Sequence, residues 1–250
     1  MAPSRSTHRS IAAALLVATT ALVVTGCSGA RGALEPDPGA PAADFAPPAA
    51  AVEAEQPGSP LLADAVDAGW AESVAASTGI PERAIRAYAG AAIVSNRENP
   101  GCDASWNTLA GIGRVESRHG EIFGSMIDAA GTASPNIYGV ALDGDGVALI
   151  PDSDAGAIDG DDTTDRAVGP MQFIPDSWRN WRIDANGDGV ADPHNIDDAA
   201  LAAVHYLCRA GDELADEEGW RTSILAWNRS EEYLADVASW ALWYAEAAAE

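Results

Sequence analysis

Between Ser28 and Pro60 the chain carries seven Pro and ten Ala in 33 positions, with Asp37, Asp44, Glu53 and Glu55 scattered among them. Such a segment buries no core and is expected to run as an extended, partly polyproline-like tether. It confines a folded domain to about 190 residues from Leu61 onward, enough for one sizeable core.

What precedes the tether reads as an address. Arg5, His8 and Arg9 form a positive start, followed by an uncharged, mostly apolar run from Ile11 to Thr25. A membrane-spanning helix needs about 20 apolar residues, so this shorter run fits a secretory signal better. It ends in Val24-Thr25-Gly26-Cys27, which resembles the bacterial lipobox. That resemblance implies lipidation of Cys27 as the mature N-terminus; an ordinary signal with an incidental Cys is the alternative. The expected organisation is a signal peptide over 1–26, a lipidated tether over 27–60 and a domain over 61–250. The protein is then an exported lipoprotein at the cell membrane.

Charge narrows the partners. The chain has 38 acidic and 14 basic residues, all of the latter Arg, for a net charge of −24. Nucleic-acid binding needs clustered positive charge and is excluded. Docking on anionic lipid by charge is disfavoured as well, so a lipid anchor would hold the protein where its own charge would not.

The domain is expected to be mainly α-helical with long Asp/Gly-rich loops. Leu62, Val66, Trp70 and Val74 keep a helical stripe, and Pro81 suits the first position of the next helix. Further helices are expected over Asp103–Ser117, after Pro175, over Ile196–Arg209 and Trp220–Asn228, and from Glu231 to the end. Residues 118–170 read as loops, and no strand shows a strong two-residue period. Cys102 and Cys208 remain once Cys27 is lipidated. In an exported chain a disulfide is their natural state, two buried thiols being the alternative. Their spacing does not suit zinc.

Three segments carry candidate chemistry. Gly111-Ile112-Gly113-Arg114-Val115-Glu116-Ser117 ends an apolar helix on a carboxylate. Gly113 and Ile112 one turn back suggest an open, poorly hydrated space beside Glu116. Desolvation raises a carboxyl pKa, as a general acid near neutral pH requires; a surface Glu paired with an Arg is the plainer reading. Gly169-Pro170-Met171-Gln172-Phe173 combines a turn, an apolar wall and a two-way amide, the mixture a sugar site uses, although a loop plugging the core fits equally. Trp227-Asn228-Arg229-Ser230 closes a helix, where Asn228 is either a cap or a ligand contact.

In this order the three segments resemble the lytic transglycosylases of bacterial cell walls, of the membrane-bound lytic transglycosylase B type. The family's Glu-Ser pair matches Glu116-Ser117, its Gly-x-Met-Gln-Phe string matches Gly169–Phe173, and its Tyr-Asn-x-Ser string aligns with Trp227–Ser230. Trp227 departs from the family's Tyr, which removes a hydroxyl and puts any hydrogen bond it makes in question. The resemblance implies a lysozyme-like α-helical fold and cleavage of the MurNAc–GlcNAc bond in peptidoglycan glycan strands by the single carboxylate of a monomeric enzyme. Ordinary glycosidases use two carboxylates, about 5 Å or about 6.5–9.5 Å apart. Here Glu116 would act as acid and then base, closing a 1,6-anhydro ring, with Ser117, Met171, Gln172, Phe173, Trp227 and Asn228 at the substrate. A hydrolytic muramidase, with Asp128, Asp143, Asp145 or Asp165 folded into the cleft, and a weakly active wall-binding lipoprotein are the alternatives.

No cofactor is implied for the chemistry, but one loop suits a structural calcium. Asp184, Asn186, Asp188 and Asp192 stand at positions 1, 3, 5 and 9 of a calcium-type loop, with Gly189 at 6 and the Val190 carbonyl at 7. Position 12 is Asn195 instead of Glu, which weakens the set; a metal-free turn is the alternative. The related enzymes carry a loop of this kind near this place. From Asp143 to Asp165 lie eight Asp in 23 residues, read as a solvated surface loop, or as a cleft rim or second weak ion site.

Overall fold

The computed structural model describes residues 61–249 together with 45, 46, 48 and 49, all within the unit Gly32–Glu250. The expected signal, Cys27 and most of the tether lie outside the described residues. A 3-10 turn at Ala63–Ala65 leads into α1 (Ala68–Thr78), α2 (Glu82–Glu98) and α3 (Trp106–Ser117). Four short strands follow: β1 (Met126–Ile127), β2 (Ala133–Ser134), β3 (Tyr138–Ala141) and β4 (Arg166–Val168). The chain closes with α4 (Pro175–Trp181), α5 (Ile196–Gly211), α6 (Glu217–Trp227) and α7 (Glu231–Ala247). The domain is mainly α. No helix among the described residues is long and apolar enough to cross a membrane.

Side-chain caps set where these helices begin. Asp67 accepts from the Trp70 N–H, Asn195 from Asp197, Asp216 from Gly219 and Ser230 from Tyr233, each satisfying an amide that the first turn leaves unpaired. The cap at Asp67 interrupts the expected helix through Leu62 and Val66, which is extended at Val66. Pro81 is the N-cap of α2, one place before the position expected for it.

The core forms where small residues let helices approach. α3 packs along α7, and α2 along α5; Ala84, Ala87 and Ala91 of α2 and Ala199, Ala202 and Ala203 of α5 are all fully buried. Trp106 to Gly113 of α3 are buried throughout, which makes α3 the central helix. A Cβ on Gly111 would stand 2.7 Å from the Val237 carbonyl of α7, and one on Gly113 would stand 2.0 Å from the Tyr88 hydroxyl of α2. The two glycines of the Glu116 segment are therefore requirements of packing. They do not leave an open space beside the carboxylate, as their smallness suggested.

Two further expectations are corrected. Residues 118–170 hold two antiparallel hairpins, β1–β2 and β3–β4, with strands of two to four residues, too short to print a periodic pattern. The tract read as tether also reaches the domain. Phe45 meets Trp220 edge to face at 5.9 Å, Ala46 is fully buried, and the Ala49 N–H donates to Asn107 Oδ1 at 3.0 Å. Phe45 is the aromatic residue of that tract and the one able to bury enough surface to dock.

Cys102 and Cys208 are bonded to one another, with Cα atoms 5.4 Å apart and a sequence separation of 106. The link fastens the approach to α3 to the last turn of α5. A loop of about 100 residues contributes about 4–5 kcal/mol in the chain-entropy model. Reduction, or Cys102→Ser, is expected to lower the urea midpoint of the full chain accordingly; an unchanged midpoint would contradict this contribution.

Candidate active site

Glu116 stands in the last turn of α3, half-buried. The helix stops because Arg118 and His119 adopt left-handed backbone, with φ of 53° and 62°. The turn is then tied down on three sides. Ser117 Oγ donates to the Pro170 carbonyl at 2.5 Å and accepts from the Gly120 N–H at 2.7 Å. His119 lies between two hydroxyls, with Nδ1 3.2 Å from Tyr88 Oη of α2 and Nε2 2.8 Å from Tyr244 Oη of α7. Burial, assisted by Arg114, drives the His119 pKa down to about 3, so the ring is neutral and bridges the tyrosines as donor to one and acceptor from the other.

Two donors converge on one carboxylate oxygen. Trp227 Nε1 donates to Glu116 Oε1 at 3.0 Å, and Tyr233 Oη donates to the same atom at 2.5 Å. Oε2 takes no hydrogen bond from the described residues, which leaves it for an incoming group. Burial pushes the Glu116 pKa up to about 7, against the pull of both donors. Burial and the adjacent carboxylate hold the Tyr233 phenol well above its ordinary range, so it remains a donor throughout. The Ser230 cap sets Tyr233 in the first turn of α7 and aims it back at the end of α6. Sequence reasoning missed it; the usable signal was an aromatic three residues after a helix cap, directly beyond the Trp227 segment.

Trp227 is held by edge contacts with Phe173 at 4.9 Å and Tyr206 at 5.4 Å. The expected wall of Met171 and Phe173 is core, 0% and 2% exposed, and Ser117 is buried as a brace. These three support the site from behind instead of lining it. Gln172 is partly exposed, in left-handed backbone at φ 50°, with its Nε2 on the Gly169 carbonyl at 2.8 Å. Asn228 is exposed and ends α6. Gly169 has φ 75°, and a Cβ there would lie 1.8 Å from the Pro193 carbonyl, so only glycine fits.

Pro193 belongs to the calcium-type loop. In it Asp184 accepts from the N–H groups of Gly187 and Gly189, both at 2.8 Å, Asn186 Oδ1 from Asp188 at 2.9 Å, and Asp188 Oδ1 from Val190 at 2.8 Å. Asp192 Oδ1 accepts from the His194 N–H at 2.8 Å. The oxygen chemistry at the early positions fits calcium. Position 12 does not: the Asn195 oxygen caps α5 through the Asp197 N–H, and its amide donates to the Ala130 carbonyl. Instead the buried Asp198 gathers the loop, accepting from Ala185 at 2.7 Å, Asn186 at 3.3 Å and Asp192 at 2.9 Å. Burial raises its pKa to about 6.

Residues 163–225 match the family model of the transglycosylase SLT domain. The match covers about a quarter of the chain, from the approach to β4 through most of α6, and takes in the Gly169 turn and the calcium-type loop. It stops short of Glu116, Trp227 and Tyr233. No curated protein and no solved structure matches the chain. The similarity supports a transglycosylase that acts on peptidoglycan, and the mainly α architecture is consistent with a lysozyme-like domain of that kind.

The raised pKa has a consequence for stability. A carboxyl with a folded pKa of about 7 binds more protons than its unfolded form between the ordinary value of 4.5 and 7. Its contribution therefore falls as pH rises through that window. Glu116→Gln is expected to raise the melting temperature at pH 8 and to change it little at pH 4. Equal shifts at both values would contradict the burial argument.

Proposed function

We propose that the protein is a lytic transglycosylase that cleaves the MurNAc–GlcNAc bond of peptidoglycan without water. The observation that carries this reading is the Glu116 carboxyl, held by two donors on Oε1 and raised by burial to about 7. A pKa near neutrality suits a group that must give a proton and then take one back. In the proposed reaction the Oε2 proton goes to the glycosidic oxygen as its bond to C1 breaks. The carboxylate then takes the proton of the muramyl 6-hydroxyl as that oxygen bonds to C1. Trp227 and Tyr233 hold the carboxyl in place and stabilise its charged stage.

Of the four candidates for a second carboxylate, three have other partners, and Asp145 is exposed. Asp165 is fully buried and accepts from the Ser153 N–H and hydroxyl, Asp143 accepts from the Asp145 N–H, and Asp128 from the Thr132 N–H. This arrangement favours the one-carboxylate route over hydrolysis. Gln172 and Asn228 are the polar groups available to sugar hydroxyls, and the lipid on Cys27 would hold a monomeric enzyme at the membrane facing the wall.

Digestion of purified peptidoglycan tests the reading. The full chain is expected to release muropeptides with anhydro ends, lighter by one water than hydrolytic products, and Glu116→Gln to release none. Reducing ends would indicate a muramidase, and equal inactivity of both proteins a wall-binding protein. Tyr233→Phe removes a donor to the charged form, so its basic limb is expected to move to higher pH while the rate falls about 10–100-fold, the range of one to two charge-assisted hydrogen bonds.

Calcium is proposed as a structural ion held by Asp184, Asn186, Asp188, Asp192 and the Val190 carbonyl, where it would stiffen the loop behind Gly169. The melting temperature of the full chain is then expected to rise with calcium and fall with chelator, with Asp188→Asn reducing the response.

A further inference from the structure

A cavity of about 390 Å³ opens between the last turns of α2 and α5 and the end of α4. That volume is within the range of about 300–1,000 Å³ that small-ligand pockets occupy. Its floor is fixed. Ser95 Oγ lies 3.4 Å from Cys208 Sγ, both residues are buried, and the bond to Cys102 ties this turn of α5 to the approach to α3. One wall is the half-buried ring of Trp181, which meets Tyr206 edge to face at 5.4 Å. Tyr206 meets Trp227 at the same distance, so this wall stands two ring contacts from the indole that holds Glu116.

The charges on the rim are of two kinds. His205 Nε2 and Glu98 Oε2 meet at 3.0 Å and satisfy one another. Arg209 and Asp212 are three residues apart and both exposed, yet neither makes an ion pair or a side-chain hydrogen bond with a described residue. Asp212 also sits in backbone that a side chain rarely adopts, with φ 63° and ψ −61°, while the Glu213 N–H bonds back to the Gly211 carbonyl at 2.8 Å. That is a γ-turn of the strained hand. The close approach of α5 to α6 demands a tight turn here, since a Cβ on Gly211 would stand 2.1 Å from the Gly219 carbonyl. Glycine at 212 would meet the demand with the least strain; aspartate meets it at a cost and sets a carboxylate on the rim.

We infer that this cavity binds a zwitterion of the amino-acid or short-peptide class, with its carboxylate on Arg209, its ammonium on Asp212 and an apolar side chain on the face of Trp181. A guanidinium pairs with a carboxylate through two parallel hydrogen bonds, and Asp212 offers acceptors to an ammonium. Other ligand classes fit the rim less well. An uncharged sugar would leave both charges without a counter-ion, a simple anion would face Asp212 and Glu98, and a simple cation would face Arg209. The site is separate from Glu116 and from the loop at 184–195, and the inference does not depend on the peptidoglycan reading.

Calorimetric titration of the full chain with alanylalanine, its C-terminal amide and its N-acetyl form tests it. The parent is expected to bind one equivalent of the free dipeptide, and each blocked form at least about tenfold more weakly, the worth of one charge-assisted hydrogen bond. Arg209→Gln and Asp212→Asn are expected to lose the dipeptide by a similar factor. Asp212→Gly is expected to lose it as well while melting no lower than the parent, because the turn is relieved of its strain. The absence of binding to the parent overturns the site, as does an unchanged isotherm for Arg209→Gln or equal binding of the free and blocked dipeptides. A lower melting temperature of Asp212→Gly also counts against it, because the aspartate would then serve the turn and not a ligand.

Discussion

A carboxyl that must hold a proton near neutral pH has to be starved of water and still be reachable, and the domain is arranged around that conflict at Glu116. Desolvation alone would raise the pKa further, by up to about 3–5 units for a fully buried group, and cost stability; hydrogen bonds alone would lower it. Here both act together. Tyr233 and Trp227 exclude water and donate to Oε1, so the groups that dry the carboxyl also restrain the rise. Their positions require α7 to lie close against α3. That in turn requires glycine at 111, where any Cβ would meet the Val237 carbonyl.

Behind the carboxyl runs a line of contacts with little slack. Ser117 bonds to Pro170, Gly169 abuts Pro193, and Pro193 follows a loop gathered by the buried Asp198. Phe173 leaves the same turn to meet both Trp178 and Trp227. The Gly169–Phe173 turn thus positions the acid through Ser117 and its donor through Phe173. That double duty explains why Met171 and Phe173 are core residues in a string that reads, from composition, like a sugar wall.

Most helices were legible because apolar faces and turn residues are local properties: Pro175 opens α4, and α5 and α7 begin at Ile196 and Glu231 as expected, whereas the helix expected from Trp220 begins at Glu217 under the Asp216 cap. Glu116 was legible for the same reason, as a carboxylate ending an apolar helix. What escaped depends on contacts between distant segments. Tyr233 reaches Glu116 across 117 residues, and its one local mark, a place three residues after the Ser230 cap, does not say what it meets. Asp198 looked like one more acid after Asn195, although it is the residue that gathers the loop. The hairpins were hidden because their strands are only two to four residues long, too short for alternating apolar residues to show.

The exchange of Tyr for Trp at 227 can now be weighed physically. The resemblance raised the concern that a hydroxyl to the acid had been lost. An indole N–H is a donor and nothing else, so Trp227 cannot take the acid's proton, and it meets Oε1 through the one polar atom it has. The hydroxyl is present on Tyr233, whose first-turn position places it on that same oxygen. Because both donors use Oε1, the proposed reaction would carry its proton on Oε2, which takes no hydrogen bond from the described residues. A second donor on Oε2 would lower the pKa further. Placing both donors on one oxygen leaves the other atom for the acid and base roles that the proposed single-carboxylate mechanism would need.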